Sequence, residues 1–418
     1  MHTAHILRKY DPLEWGGTET AVLRLLDGLR SQNVGATVYC PRLKVEREQD
    51  PFVTAGIQVQ RFNSFVPVLG ISADQREQLV RWGGNIMSFQ LYRQLMNDPL
   101  DVIHTHALNR LAGVGLMAAR RRNLPLVVTI HGGALDLPGE VESKLTAPLR
   151  GGLEWGKIIG LLIQSRKVLE KADAILACNP REVELLSHRY PQQRVLLQQH
   201  SVPAANYAKE CRSVARQAFP LITQREVILC VARLDPVKNQ LWLVQQLPAM
   251  LAQHPKVLLV LAGPDTSQGY GDQVRQEVER LGLKENVLFT GPLEPGSDLL
   301  VGLMQEAKAM LLPSTSETFG LAILEAWAAG TPIISSRTSG ASSLIKHQEN
   351  GWLFNLDQPR DYLAALKEAL AGDDDTRRVI DTARTLVRST YDTVVAAARV
   401  KRLYEELSAG KKNGKRSA

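Results

Sequence analysis

The feature that most constrains this chain is the alternation of short apolar runs with longer amphipathic stretches. In the first half the runs are AHILRK at 4–9, ATVYC at 36–40, DVIHTH at 101–106, LVVTI at 126–130 and AILAC at 174–178. In the second half they are VILCVARL at 227–234, VLLVLAG at 257–263, VLFTG at 287–291, AMLLPS at 309–314 and PIISS at 332–336. An unbroken Val/Ile/Leu run suits a parallel strand covered by helices on both faces. Strand–helix alternation on both sides of the middle predicts an α/β protein with two doubly wound, Rossmann-like domains. A chain of 418 residues is too long for one ordinary core and fits two. The break is expected between His200 and Phe219, where VLLQQ at 195–199 gives way to a polar, Ala-rich stretch. This puts the first domain at 1–205 and the second at 206–390; a last helix over 393–408 could join either.

Charge and cysteine content narrow the partners. A formal net charge of +7 suits anionic partners such as nucleotides or phospholipid head groups. No motif combines aromatic and basic residues as nucleic-acid modules do, so nucleic acid is not expected. Cys40, Cys178, Cys211 and Cys230 form no CxxC pair, which argues against disulfides and structural zinc. The first residues lack the apolar core of a signal peptide, and no apolar run is long enough to span a bilayer. A cytoplasmic protein is expected, with room for peripheral contact at the inner membrane face.

Two segments are built to meet phosphate. Gly16 and Gly17 precede a helical pattern with Ala21, Val22, Leu25, Leu26 and Leu29 on its apolar face. Paired glycines let backbone N–H groups approach an anion closely at a helix N-terminus. A plain glycine turn would look the same. The third glycine of the G-x-G-x-x-G fingerprint is absent, which disfavours NAD. In the second half, Arg233 ends the strand VILCVARL and Lys238 follows in the next turn, at the strand end where α/β proteins bind ligands. Such a pair could neutralise charge growing on a departing diphosphate; two solvated surface cations are the bland alternative.

The strongest signal is PSTSETFGLAILEAWAAGTPII over 313–334: strand, polar loop, helix, Gly330 stop, strand. Glu317 stands at the helix start and Glu325 eight residues on, inside the helix. If the helix starts near Phe319 or Gly320, Glu325 lies roughly 8 Å along it. The amides of Phe319, Gly320 and Leu321 would then be donors at a positive helix end. A pyrophosphate bound there would have one carboxylate on each side for sugar hydroxyls. The alternatives are a helix-start acid for Glu317 and an exposed helix acid for Glu325. Leu324, Ala326 and Trp327 make the second face partly apolar, where a carboxylate needs a partner or a ligand.

His104, His106 and His131 end two neighbouring strands. A metal site is one reading; without an acidic or Cys ligand pattern, polar lining of a cleft is preferred, so no metal is expected. His131 is followed by Gly132-Gly133, so its loop can approach a ligand. The Gly-punctuated stretch 136–170 beside it is a candidate acceptor wall. Its apolar part, KIIGLLI, reads as an ordinary packed helix or as one that dips into a membrane surface.

These residues together resemble the family 4 glycosyltransferases of the GT-B fold. The resemblance rests on ETFGLAILE with its E-x7-E spacing, Arg233 and Lys238, LAGP at 261–264 and FTG at 289–291. In the first half it rests on GGTE at 16–19, DVIHTH at 101–106 and TIHGG at 129–133. It implies two Rossmann-like domains facing a central cleft. It implies that Glu325 holds the ribose, and that Glu317, Phe319 and Gly320 contact the transferred sugar. Arg233, Lys238 and the Gly16, Gly17 and Leu321 amides would hold the diphosphate, with the base near Gly291 to Leu293 and His131 near the sugar. It further implies metal-independent transfer, without cofactor, that retains the anomeric configuration. The segment SGASSLI at 339–345 departs from the family by having no acid, and QQHSVPAANYA lacks its Asn-Gly-Val turn.

The resulting expectation is a retaining hexosyltransferase. It would use a UDP- or GDP-sugar and a hydroxyl of a glycan or lipid-linked acceptor, in surface polysaccharide or lipopolysaccharide assembly. The alternatives are a soluble-acceptor transferase of the same fold and a catalytically silent sugar-nucleotide-binding scaffold.

Overall fold

A computed structural model describes residues 1–11, 16–42, 50–81, 86–132, 155–267 and 269–414. The chain divides into two units: Met1–His200 together with Thr393–Ala418, and Ser201–Asp392.

The first unit is built on seven strands: β1 (His2–Ile6), β2 (Gly35–Pro41), β3 (Gln58–Phe62), β4 (Val102–Thr105), β5 (Leu126–Ile130), β6 (Ala174–Ala177) and β7 (Val195–Leu197). They pair in the order β3-β2-β1-β4-β5-β6-β7, and every pairing is parallel. Successive side chains of a strand point to opposite faces, so an apolar run feeds two cores. Ile103 and Val128 enter one core with Leu111 and Leu116 of the helix Asn109–Arg122. Val102 and Val127 enter the other with Val22, Leu26 and Leu29 of the helix Gly17–Arg30.

The closing helix, Thr393–Gly414, completes that second core with Ala397, Val400, Leu403 and Tyr404. Their helical spacing makes one apolar stripe. The stripe meets Gly28 so closely that a Cβ there would stand 2.6 Å from the Thr393 carbonyl oxygen. The last helix is therefore part of the first unit.

The second unit carries six parallel strands: β8 (Glu226–Val231), β9 (Val257–Ala262), β10 (Val287–Gly291), β11 (Ala309–Leu312), β12 (Ile333–Ser336) and β13 (Trp352–Phe354). Their order is β10-β9-β8-β11-β12-β13. All six residues of β9 are buried, as a central run of VLLVLA requires. The unit starts at Ser201, a few residues before the expected 206, and its two ends lie side by side: the Val202 amide donates to the Tyr391 carbonyl at 2.9 Å.

Both sheets reverse strand order at the first strand, between β1 and β4 and between β8 and β11. In open α/β sheets the crevice outside the carboxyl ends at such a point is the ordinary ligand site. Among the described residues no helix is long and apolar enough to cross a membrane.

Candidate active site

In the second unit the loops leaving β8 and β11 meet at this reversal. After β8 the chain turns through Arg233 to Asn239 into the helix Gln240–Gln253. The turn is held from inside. The buried Gln240 donates from Nε2 to the Arg233 carbonyl at 2.7 Å, and Asp235 Oδ1 accepts from the Val237 amide at 2.9 Å. Gly263, at the end of β9, backs the same turn at φ +150°; a Cβ there would lie 2.2 Å from the Ala232 carbonyl oxygen. Only glycine fits both the dihedral and the space.

The two loops are stitched together. Asn239 Nδ2 donates to the Pro313 carbonyl at 3.2 Å, and the Thr315 amide donates to the Val237 carbonyl at 2.8 Å. These bonds bring Lys238 Nζ to 2.5 Å from Glu317 Oε2, with both side chains partly buried. Arg233 is about half exposed, and its nearest carboxylate, Asp235, stands 3.8 Å away. A loose, solvated pair of this kind contributes little to stability and leaves the guanidinium available to an anion.

The Glu317 loop is braced from the far side by the segment after β12. The Gly340 amide donates to the Glu317 carbonyl at 2.8 Å, and Ser339 Oγ donates to the same oxygen at 3.1 Å. A Cβ at Gly340 would stand 2.5 Å from the Phe319 nitrogen. Gly340 lies in the segment that carries no acid, and its part here is backbone support.

The acidic helix begins at Leu321, with Gly320 as its N-cap at φ +100° and no capping side chain. An N-terminus without a side-chain cap leaves main-chain donors at the carboxyl edge of the sheet. Phe319 and Glu325 are both buried, Glu325 one turn deeper in the helix. Arg233, Lys238, Glu317, Phe319, Gly320 and Leu321 thus share one edge. Leu293 is half-buried just past β10, on the same edge two strands from β8.

The first unit holds the remaining candidates. Gly16 is the N-cap of the helix Gly17–Arg30, and its amide donates to Glu19 Oε2 at 3.1 Å. Glu19 is buried and accepts from the N-cap amide, the half of a capping box that a glycine N-cap allows. The Gly16 amide, expected to meet phosphate, thus has the chain's own carboxylate as its partner in this structure. Residues 12–15, ahead of it, and the candidate acceptor wall from 136 to 154 lie outside the described residues.

His131 follows β5 and belongs to a larger cluster than the sequence suggested. His5 Nδ1 lies 3.0 Å from His106 Nε2, and His106 Nδ1 lies 2.9 Å from His131 Nε2. His104 contacts the Tyr404 hydroxyl at 2.5 Å and Thr129 Oγ1 at 2.6 Å. His131 also stacks on His200 at 5.2 Å. Burial lowers the His5 pKa to about 3 and, with Arg8 adding repulsion, that of His131 to about 4. Burial also holds His104, His106 and His200 well below the usual imidazole range. All five rings are neutral near pH 7. His5, His104 and His106 have nitrogens within 4.8 Å of one another, a spacing that could hold a metal ion. Every one of those nitrogens already has a protein partner: Thr3, His106, His5, His131, Tyr404 or Thr129.

Two reversed-order parallel sheets, with cations and an acid gathered where the second sheet reverses, define a protein of two Rossmann-like units with charged groups at a carboxyl edge. The family model "Glycosyl transferases group 1" matches residues 212–386, and "Glycosyl transferase 4-like domain" matches 16–197. The chain is a glycosyltransferase and belongs to the family 4 glycosyltransferases of the GT-B fold. It is similar to D-inositol 3-phosphate glycosyltransferase of Jonesia denitrificans, 26% identical over 85% of this chain and 83% of the relative. The namesake from Corynebacterium glutamicum is 24% identical over 97% and 95%. Among solved structures, HepE of Anabaena in complex with UDP superposes with a TM-score of 0.72 at 19% identity, covering 97% of this chain and all of that one; HepE has also been solved with UDP-glucose.

Proposed function

We propose that the second unit binds a nucleotide diphosphate sugar, a UDP-sugar by preference, and that a hexose is transferred with retention to an acceptor hydroxyl. The observation that carries this reading is the stitched pair of loops, with Lys238 on Glu317 and Arg233 open beside them. Arg233 grips the diphosphate. Lys238 stands between the phosphate and Glu317, which in turn accepts from the transferred sugar with Phe319 and Gly320 at its side. The Leu321 amide adds a donor at the helix end, Glu325 takes the ribose hydroxyls, and Leu293 lies against the base. The bond from the anomeric carbon to the diphosphate breaks as the acceptor oxygen bonds on the same face, and the acceptor proton passes to the leaving phosphate. Cations and helix ends can stabilise that phosphate without a metal ion. His131 is the sugar contact that the family resemblance implies.

For the acceptor, a glycan or lipid-linked hydroxyl at the cytoplasmic membrane face is favoured by the helix Gly156–Leu162. Leu161 and Leu162 there are 79% and 74% exposed, beside the exposed Arg166 and Lys167. Apolar side chains next to cations suit an anionic lipid surface. A soluble phosphorylated polyol is the second reading, favoured by the names of the curated relatives.

A thermal-shift screen with UDP, GDP, ADP and dTDP, each with and without EDTA, tests the donor. Stabilisation by one nucleotide, unchanged by EDTA, is expected; no stabilisation by any of them sinks the donor reading. Sedimentation with phosphatidylglycerol vesicles separates the acceptors. Binding lost on changing Leu161 and Leu162 to Asp supports a lipid surface; no binding, with transfer to inositol phosphate in solution, supports the polyol.

A further inference from the structure

The imidazoles of the first unit form a line rather than a knot. It starts at Thr3 in β1. Thr3 Oγ1 lies 3.2 Å from the Gly35 carbonyl and 3.0 Å from His5 Nε2. His5 Nδ1 meets His106 Nε2, and His106 Nδ1 meets His131 Nε2. His131 Nδ1 ends the line, enclosed and without a hydrogen-bond partner among the described residues. Thr3 and His5 are buried in β1, His106 is buried just past β4, and His131 stands past the carboxyl end of β5.

Hydrogen-bond arithmetic fixes the direction of such a line. A neutral imidazole has one N–H and one bare nitrogen, and a hydroxyl has one proton. The Gly35 carbonyl can only accept, so the Thr3 proton goes to it and Thr3 Oγ1 accepts from His5 Nε2–H. His5 Nδ1 is then bare and accepts from His106 Nε2–H. His106 Nδ1 is bare in its turn and accepts from His131 Nε2–H. The last ring is left with Nδ1 bare. The low pKa values of the three rings keep each in the neutral form that the argument needs.

We propose that Thr3, His5 and His106 are a hydrogen-bond relay that holds His131 as its Nε2–H tautomer and presents His131 Nδ1 as a pure acceptor. An acceptor nitrogen of this kind takes a hydroxyl hydrogen and turns away a phosphate or carboxylate oxygen. Thr3, His5 and His106 are positioning residues, acting through His131 on whatever it meets. The bearing of the relay on transfer rests on His131 serving the sugar; the tautomer itself does not.

The test is tautomer-resolved NMR of the full chain with ¹⁵N-labelled histidine, using two-bond ¹H–¹⁵N correlations. His131, His106 and His5 are expected to show protonated Nε2 and bare Nδ1. Thr3→Val keeps the β-branched shape but removes the oxygen, so His131 is expected to become a mixture of both tautomers; Thr3→Ser should restore the single form. Nδ1–H at His131 in the unaltered protein overturns the relay. So does a Thr3→Val spectrum in which His131 is unchanged. Should Thr3→Val not fold, the spectrum of the unaltered protein still decides the tautomer. A transferase assay that failed would leave these spectra as they are, so the two readings fail separately.

Discussion

Lys238 Nζ stands 2.5 Å from Glu317 Oε2, across two loops that leave different strands 79 residues apart in sequence. The acid expected to meet the sugar therefore also anchors a cation expected to meet the phosphate.

That coupling separates the roles of three residues. Glu317→Ala should lower kcat by roughly 10²-fold, the scale of losing one group aimed at the reacting centre. It should leave UDP binding intact, since Lys238 is released toward the phosphate rather than lost. Arg233→Ala should weaken UDP binding itself. Calorimetric titration with UDP, alongside donor turnover, checks both; equal loss of UDP affinity in the two variants would refute the division.

Gly263→Ala tests the backing of the Arg233 turn. The new Cβ would meet the Ala232 carbonyl at a backbone angle that suits only glycine. Strain of this kind costs on the order of 1–3 kcal/mol. The turn should shift, weakening UDP binding by roughly tenfold or more. Melting and UDP titration read the two effects, and a variant indistinguishable from the parent would show that the turn does not depend on this contact.

Acid should loosen the first unit. The folded-state pKa of His5 is lowered to about 3 and that of His131 to about 4, both below the ordinary imidazole value of 6.5. A lowered pKa means that the unfolded chain takes up protons first. The stabilisation is complete above pH 6.5 and is lost as pH falls from there toward 4 and 3. Each ring contributes a slope of up to about 1.4 kcal/mol per pH unit in that window. Scanning calorimetry at pH 7, 6 and 5 should show a falling melting temperature, with a shallower fall in His5→Phe. A melting temperature flat across that range would contradict the buried, neutral cluster.

Tyr404→Phe removes the hydroxyl on His104 Nδ1 and leaves that buried nitrogen alone. The expected cost is about 1–3 kcal/mol, or roughly 2–4 °C in melting temperature per kcal/mol for a unit of this size. A neutral outcome would mean that water replaces the hydroxyl.

Much of this architecture was legible in the chain because apolar runs are strong signals. VLLVLA can hardly be anything but a buried strand, and β9 is one. What escaped was carried by weak patterns. QVQRF makes β3, an edge strand with polar side chains on both faces, and WLF makes β13, only three residues long. The E-x7-E segment announced its helix, and the helix starts at Leu321, one residue past the latest start expected. The Lys238–Glu317 contact was not legible, because it depends on loop stitching by Asn239 and Thr315. Nor was the histidine line. His5 sits in a run read simply as a first strand, and only the register that sets His5 beside His104 brings the rings together.

The closing helix has a consequence for how the chain is made. The second unit is one continuous segment, Ser201–Asp392, and all of it leaves the ribosome before Thr393 does. The first unit is drawn from segments on either side of it. Its sheet emerges first, yet Ala397, Val400, Leu403 and Tyr404 follow the whole second unit, so the side of the helix Gly17–Arg30 that meets them stays uncovered until then. Domains ordinarily mature in the order of synthesis. Here the earlier-born unit finishes second, and a chain truncated at Asp392 would keep a complete second unit beside a first one with an open core.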